Sequence, residues 1–116
     1  IMNNKESLLI NDNASIKEAL IIIKNNKSRH ALVTSDGSRI IGIVSEGDII
    51  NALLKGSDLS SRLSPIANRS FIFLNEDDIN DRNKILSRLN QGILIIPILD
   101  KEMNLVDIIN YMEYLK

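Results

Sequence analysis

The sequence predicts an α+β fold in which two β-α-β-β-α repeats pack as a pseudo-two-fold pair. A short strand, an amphipathic helix, two β-rich runs and the start of a second helix occur twice along its 116 residues. The two halves are also similar, since a shift of 65 residues carries Val33-Thr34 onto Ile98-Leu99 and Ile40–Val44 onto Leu105–Ile109. Each half is too small to bury a sufficient core alone, which favours packing of one half against the other.

The first repeat is predicted at residues 1–58. The run LLI (Leu8–Ile10) is its first strand, and Ser15-Ile16-Lys17-Glu18 is a capping box that opens the first helix. The runs RHALVT and RIIGIV are strands, and Asp36-Gly37 between them indicates a hairpin because glycine tolerates positive φ. The run SEGDIINALLKG is the second helix, with Gly56 as its C-cap.

The second repeat is predicted at residues 59–116, and its first part is a serine-rich connector. The run FIFL (Phe71–Leu74) is its first strand. A helix over residues 77–92 is expected to bury Ile79, Leu86 and Leu89 and to end at Gly92. The runs ILIIPIL and NLVDII form the second strand pair, and NYMEYLK begins the last helix.

Composition excludes several function classes. A net charge of −1 argues against a nucleic-acid-binding domain, and the longest apolar run, Ile93–Leu99, is too short to cross a membrane. With no Cys and a single His, the chain offers no thiolate metal site and no nucleophile–base pair. We therefore expect no metal and no enzymatic activity, and a cytoplasmic location is compatible with the composition.

Two long stretches carry a family resemblance. RHALVTSDGSRIIGIVSEGDIINAL and ILIIPILDKEMNLVDIINYMEYL resemble a tandem pair of CBS (cystathionine-β-synthase) domains, often called a Bateman module. More narrowly, NDNASIKEAL, VSEGDIINALLKG, IANRSFIFL and IIPILDKEMNLVDII are similar to the CBS pair that precedes the catalytic domain of certain sugar-phosphate nucleotidyltransferases.

The resemblance implies a regulatory module that binds an adenine nucleotide in the cleft between its two repeats. The implied ligands are AMP, ADP, ATP or S-adenosylmethionine, acting as regulators, and no cofactor is required. The resemblance also implies an attached nucleotidyltransferase or another regulated partner domain. A homodimer is expected too, because the helices SEGDIINALL and NYMEYL carry more apolar surface than one pair of repeats needs.

Ser45-x-x-Asp48 is the central candidate for ligand binding. Its structural interpretation is a capping box, in which the serine oxygen accepts the N3 N–H and the carboxylate accepts the N-cap N–H. Its functional interpretation places a phosphate at the free N–H groups of the helix and the ribose hydroxyls on Asp48. Geometry alone favours the cap, whereas the resemblance, whose family uses these two residues for the ligand, raises the second interpretation to at least equal weight.

In the second repeat, Asn110 and Glu113 stand where Ser45 and Asp48 stand in the first. Both residues suit a helix cap, but Asn lacks the hydroxyl and Glu extends its carboxylate by about one methylene. The sequence therefore predicts that the site at Asp48 is the better one and that the site at Asn110 and Glu113 is weak or empty.

By the resemblance, the adenine would lie against strand residues of the opposite repeat, which are Ile93, Leu94 and Ile95. For Leu94 and Ile95 taken singly, a plain core position is the favoured alternative. Arg29 and His30 precede Asp48 at the start of a strand, where some family members carry phosphate-facing basic residues. A guanidinium suits a phosphate, while a lone His is more often a surface or strand residue.

Three hypotheses follow from the sequence. The first is a regulatory adenine-nucleotide sensor, and the second is a structural dimerisation module whose ligand site has decayed. The third, a catalytic fragment, is remote.

Overall fold

The computed structural model describes residues 5–26, 28–89 and 93–114, and it leaves the side chains of Lys5, Glu6, Met112 and Glu113 undescribed. Two three-stranded sheets and four α-helices form two β-α-β-β-α repeats, which confirms the predicted fold class. The first repeat contains β1 (Leu9–Asn11), α1 (Ile16–Lys24), β2 (His30–Thr34), β3 (Ile40–Ser45) and α2 (Glu46–Leu54). The second contains β4 (Leu74–Asn75), α3 (Arg82–Leu89), β5 (Ile95–Leu99), β6 (Leu105–Asn110) and α4 (Tyr111–Tyr114). The division of the chain at residue 58 stays a prediction.

The two sheets have the same topology and the same register. In each, the first strand runs parallel to the second, and the second pairs antiparallel with the third. His30 pairs with Ser45 as Ile95 pairs with Asn110, and each hairpin has an irregularity just before its loop, at Val33/Thr34 and at Ile98/Leu99. Even the irregularities are separated by the predicted 65 residues, from Val33 to Ile98.

The loops of the two hairpins meet at the contact between the repeats. Arg39 forms an antiparallel bridge with Asn104, its own equivalent in the second repeat. The backbone N–H of Ile40 donates to the Met103 carbonyl at 2.9 Å, and the Ser38 hydroxyl donates to the Asn104 side chain. Contact of a residue with its own equivalent places a pseudo-two-fold axis at this point.

Three apolar clusters make up the core. One lies between the first sheet and its helices, and another occupies the corresponding place in the second repeat. The third joins the two repeats and contains Leu8, Leu32, Ile40, Ile43, Ile95, Leu99 and Ile108. Because β2 and β5 are covered on both faces, they read as continuous apolar runs rather than as alternating ones.

Local signals predicted the first repeat closely. The capping box at Ser15 and Glu18 is present, and Gly37 has a φ of 85° in the hairpin loop. Two boundaries need correction. The first strand begins at Leu9 rather than Leu8, and α2 ends at Leu54 with Lys55, not Gly56, as its C-cap.

The second repeat departs further from the prediction. Most of the expected strand Phe71–Leu74 is irregular, and only Leu74–Asn75 pairs with β5. The predicted helix over residues 77–92 is wrong at its start. A short 3₁₀ turn spans Glu76–Asp78, and α3 begins only at Arg82, with the Asp81 carboxylate accepting the Lys84 N–H at 3.1 Å. Its predicted end at Gly92 lies outside the described residues.

The apolar face predicted for this helix is also partly wrong. Ile85 and Leu89 are buried, while Leu86 is only partly buried and Ile79 is 37% exposed. Ile79 precedes the helix, so the helical spacing used to place it on that face does not apply.

Candidate functional site

The junction of β3 and α2 is organised by both halves of a capping box. Ser45 is the N-cap of α2, with extended backbone angles (φ −103°, ψ 164°). Its hydroxyl oxygen accepts the Asp48 N–H at 3.1 Å, and the Asp48 Oδ2 accepts the Ser45 N–H at 2.9 Å. The structural interpretation of Ser-x-x-Asp is therefore present. It uses one carboxylate oxygen and leaves Oδ1 without a donor from the described part of the chain.

A cleft of about 470 Å³ opens beside this junction, which is within the size range of small-molecule sites. Four segments border it: the start of β2, the β3–α2 junction, the connector between the repeats, and the start of β5. The lining residues are Arg29, His30, Ile43, Ser45, Glu46, Gly47, Asn68, Ser70, Phe71, Ile72, Ile93, Leu94 and Ile95.

Most of the predicted site residues meet at this cleft. The ones that border it are Arg29, His30, Ser45, Ile93, Leu94 and Ile95. Asp48 does not border it; its half-buried side chain lies one helical turn behind and is joined to the cleft through Ser45. The second repeat thus supplies an apolar wall opposite the polar helix start of the first repeat.

The two wall residues Leu94 and Ile95 differ in burial. Ile95 is 3% exposed and belongs to the apolar cluster between the repeats, so it is a core residue as well as a lining one. Leu94 is 53% exposed, and the interpretation of Leu94 as plain core is wrong. Its backbone carbonyl accepts the Tyr111 N–H at 2.9 Å, which fixes the chain there. Leu94 is therefore apolar surface that a ligand in the cleft can cover.

Arg29 and Glu46 form the charged part of the cleft. The Arg29 Nη1 lies 2.9 Å from the Glu46 Oε2, and the two side chains are 63% and 42% exposed. The backbone of Arg29 has a φ of 59°, which is uncommon for a residue with a side chain. The conformation is held on both sides, since the Asn26 Oδ1 accepts the Arg29 N–H and the Arg29 carbonyl accepts the Glu46 N–H.

The ring of His30 is oriented by the backbone. Its Nδ1 lies 2.5 Å from the Ser28 carbonyl oxygen. A carbonyl can only accept, so this contact is a hydrogen bond when the ring carries a proton on Nδ1.

Sequence reasoning missed the connector as part of the site. Asn68 exchanges two backbone hydrogen bonds with Ile43, at 2.7 and 3.0 Å, and so adds the connector to the edge of β3. Gly42 permits this approach, because a Cβ at that position would lie 3.2 Å from the Asn68 carbonyl oxygen. Ser70, Phe71 and Ile72 then follow along the cleft. A glycine inside the predicted strand was the signal that a backbone comes close there.

The second predicted site is described only in part. Asn110 is 6% exposed and pairs with Ile95 in the sheet. The side chain of Glu113 lies outside the described residues. The lower rank of this site stays a prediction.

Among residues 5–26, 28–89 and 93–114, no helix has the length and apolar character needed to cross a membrane. The same residues contain no cluster of three His, Cys, Asp or Glu side chains that could bind a metal ion.

Sequence comparisons find one family model that matches the first part of the chain, and curated relatives that are uncharacterised. Residues 1–55 match the family model of the CBS domain. An uncharacterised protein of Helicobacter pylori strain J99 is 36% identical over 59 residues, which are 51% of this chain and 18% of that protein. An uncharacterised protein of Methanocaldococcus jannaschii is 30% identical over 83 residues, covering 69% of this chain and 42% of that protein. The chain thus spans less than half the length of these curated relatives.

Solved structures of a CBS domain pair, a CBS domain protein and the cytosolic domain of a Mg²⁺ channel share the fold. A CBS domain pair in complex with 5′-methylthioadenosine and S-adenosylmethionine has a TM-score of 0.77 and 22% identity, and the match covers 93% of this chain and 87% of that one. A CBS domain protein of Pyrobaculum aerophilum complexed with AMP has a TM-score of 0.75 and 21% identity, with 97% and 89% covered. The cytosolic domain of the Mg²⁺ channel MgtE in complex with ATP has a TM-score of 0.76 and 18% identity, with 96% and 44% covered.

These comparisons bear on the fold, and the absence of enzymatic activity in this chain stays a prediction. Its first 55 residues match a CBS domain, and the chain as a whole has the fold of a CBS domain pair.

Proposed function

We propose that the protein is a regulatory module that binds an adenine nucleotide in the cleft between its repeats. The observation that carries the proposal is the joining of a polar helix start and an apolar wall, from opposite repeats, around one cleft of about 470 Å³. Three solved structures with this fold hold AMP, ATP, or S-adenosylmethionine with 5′-methylthioadenosine.

The groups around the cleft suit the parts of such a ligand. Leu94 offers exposed apolar surface to a purine face. Asp48 lies one helical turn behind the lining, and its second carboxylate oxygen is not used by the cap, so it can accept a ribose hydroxyl that reaches past Ser45. The Gly47 N–H has no acceptor within the described residues, and it can donate to a phosphate beside the Arg29 guanidinium. A ligand placed in this way contacts both repeats, so its binding changes the free energy of their mutual arrangement.

Thermal unfolding tests the proposal. A ligand that binds only the native protein raises the unfolding midpoint, so at least one of AMP, ADP, ATP and S-adenosylmethionine should raise it at millimolar concentration. Asp48→Ala is expected to abolish that rise. The matched control is Glu18→Ala, which removes the equivalent carboxylate from the capping box of α1, away from the cleft. Glu113→Ala should also retain the rise if the second site is weak.

The second candidate function is a structural dimerisation module with a decayed site. It is favoured by one observation: the contacts of Ser45 and Asp48 form a complete helix cap without a ligand. The absence of a midpoint shift with all four ligands would support this candidate against the first. A catalytic fragment is remote, and a nucleotidyl-transfer assay on the chain is expected to show no activity.

The proposal extends to partners and location. We place the module in the cytoplasm, as a homodimer that regulates an attached domain, and we expect it to bind neither nucleic acid nor membrane. The net charge of −1 argues against nucleic acid as a partner, and the exposed apolar side chains of α1 and α2 favour the homodimer. The resemblance of NDNASIKEAL and IIPILDKEMNLVDII favours a sugar-phosphate nucleotidyltransferase as that domain. The test is whether the bound nucleotide changes the rate of a nucleotidyltransferase joined to the module.

A further inference from the structure

The charges around the cleft are few and balanced. Among the described residues that border it, Arg29 carries the one guanidinium and Glu46 the one carboxylate. They are paired at 2.9 Å, so their formal charges cancel. Asp48 adds a second carboxylate one turn behind, at the same end of α2. A polyanion entering the cleft therefore meets one cation already paired with a carboxylate, and a second carboxylate lies one helical turn behind the lining.

The Arg29–Glu46 pair is weak enough to open. Both side chains are substantially exposed, and an ion pair in that setting contributes little to stability. A phosphate in the cleft can take the guanidinium from Glu46 at low cost. Glu46 then remains in the same cleft with its charge unpaired, as the first residue of α2.

The repulsion between the unpaired Glu46 carboxylate and the ligand depends on how much negative charge the ligand carries. A single phosphate can be matched by Arg29 and the Gly47 N–H. A triphosphate brings several further negative charges that no second Lys or Arg among the described lining residues can balance. Repulsion from Glu46 grows with each charge added within a few ångströms, because the cleft is only partly screened by water.

We propose that Glu46 sets the charge preference of this cleft, so that it binds adenosine ligands with no phosphate or one phosphate more tightly than ATP. This inference rests on the proposed function, since it concerns the choice among adenine ligands at the same site. Arg29 supplies the attraction for one phosphate, and Glu46 limits the total negative charge. The preference is a property of two side chains other than those of Ser45 and Asp48, which form the helix cap.

Isothermal titration of adenosine, AMP and ATP without divalent cations tests the inference. The native chain should bind AMP about tenfold more tightly than ATP. Glu46→Gln keeps the shape and a hydrogen-bond acceptor for Arg29 but removes the charge. It should tighten ATP binding about tenfold and change adenosine binding less than about twofold. Arg29→Ala should weaken AMP binding and spare adenosine.

The matched control is Glu102→Gln, which removes an exposed carboxylate from the loop between β5 and β6, at the end of β5 away from the cleft. It should leave all three affinities unchanged. Equal affinity of the native chain for AMP and ATP would overturn the charge preference while leaving the proposed function standing. An equal effect of Glu46→Gln on adenosine and ATP would show a structural role instead. If none of the three ligands binds, the proposed function itself fails.

Discussion

At the scale of single residues, the sequence predicted the hydrogen bonds at the start of α2 better than it predicted which residues border the cleft beside that start. Ser-x-x-Asp is recognisable because its hydrogen bonds are local, and the structure forms them as expected. Glu46 and Gly47 were overlooked although they lie inside that pattern, because their place in the cleft depends on Arg29 and on the second repeat. Burial is equally non-local: Leu94 and Ile95 are alike in sequence, but one is exposed and the other is core.

This difference between neighbours gives a prediction. Leu94→Ser should change the free energy of unfolding by less than about 0.5 kcal/mol, because the side chain is 53% exposed. It should nevertheless weaken nucleotide binding several-fold, because it removes part of the apolar wall of the cleft. Ile95→Ala, at 3% exposure, should cost about 2–5 kcal/mol of stability. Urea unfolding and titration of the same variants check both; a destabilised Leu94→Ser would contradict the assignment of Leu94 to the ligand wall.

At the scale of elements, the sequence predicted strands that pair with their neighbour along the chain better than elements whose bounds depend on distant segments. The hairpins β2–β3 and β5–β6 are specified by their own apolar runs and loops. By contrast, Phe71 and Phe73 come from a β-rich run but pack against the cluster between the repeats, with ring centroids 5.6 Å apart. Tertiary packing thus shortened the strand to Leu74–Asn75. The late start of α3 follows from Asp81, whose carboxylate accepts the Lys84 N–H in the first turn; the predicted helix included this residue in its interior.

The hairpin loops carry a pH-dependent contribution to stability. The backbone N–H groups of Arg39 and Ser38 donate to the Asp36 carboxylate and lower its pKa below 3.8. In the second hairpin, the Asn104 N–H above all lowers the pKa of Asp100 in the same way. A lowered folded-state pKa means that this stability is fully present above the ordinary pKa and is lost as the pH falls through the folded one.

Thermal melts from neutral pH down to about pH 2.5 test this contribution. The double variant Asp36→Asn, Asp100→Asn should melt below the native chain at neutral pH, and its midpoint should fall less steeply on acidification below about pH 4. Asp77→Asn, at an exposed carboxylate in the 3₁₀ turn, is the control and should keep the native slope. Identical slopes for the native chain and the double variant would show that the two loops do not supply the effect.

At the scale of the whole molecule, the two halves are held by one apolar cluster and by the loop contacts on the pseudo-two-fold axis. Neither could be placed from sequence, although the internal repeat indicated that the halves would pack together. The same arrangement builds the cleft, since Ile43 of β3 and Ile95 of β5 belong to that cluster and also border the cleft. Under the proposed function, ligand binding would therefore be linked to the packing between the repeats through shared side chains.

The outer face of α1 and α2 leads to a prediction about assembly. The two helices pack together and leave Ile21 on α1 and Ile50 and Leu54 on α2 exposed, with Leu54 at 82%. Ile50 and Leu54 are one turn apart on the same face of α2. Apolar side chains grouped in this way favour burial against a second copy, so we expect a dimer at micromolar concentration.

Leu54→Lys should shift that dimer to monomer in sedimentation experiments without lowering the unfolding midpoint of the monomer, because the side chain makes little contact within one chain. Ile79→Lys is the matched control, since Ile79 is also exposed, at 37%, but lies in the second repeat before α3. It should leave the dimer intact. A native chain that stays monomeric, or equal dissociation by both variants, would exclude this face as the interface, and the exposed side chains of α2 would then need another partner.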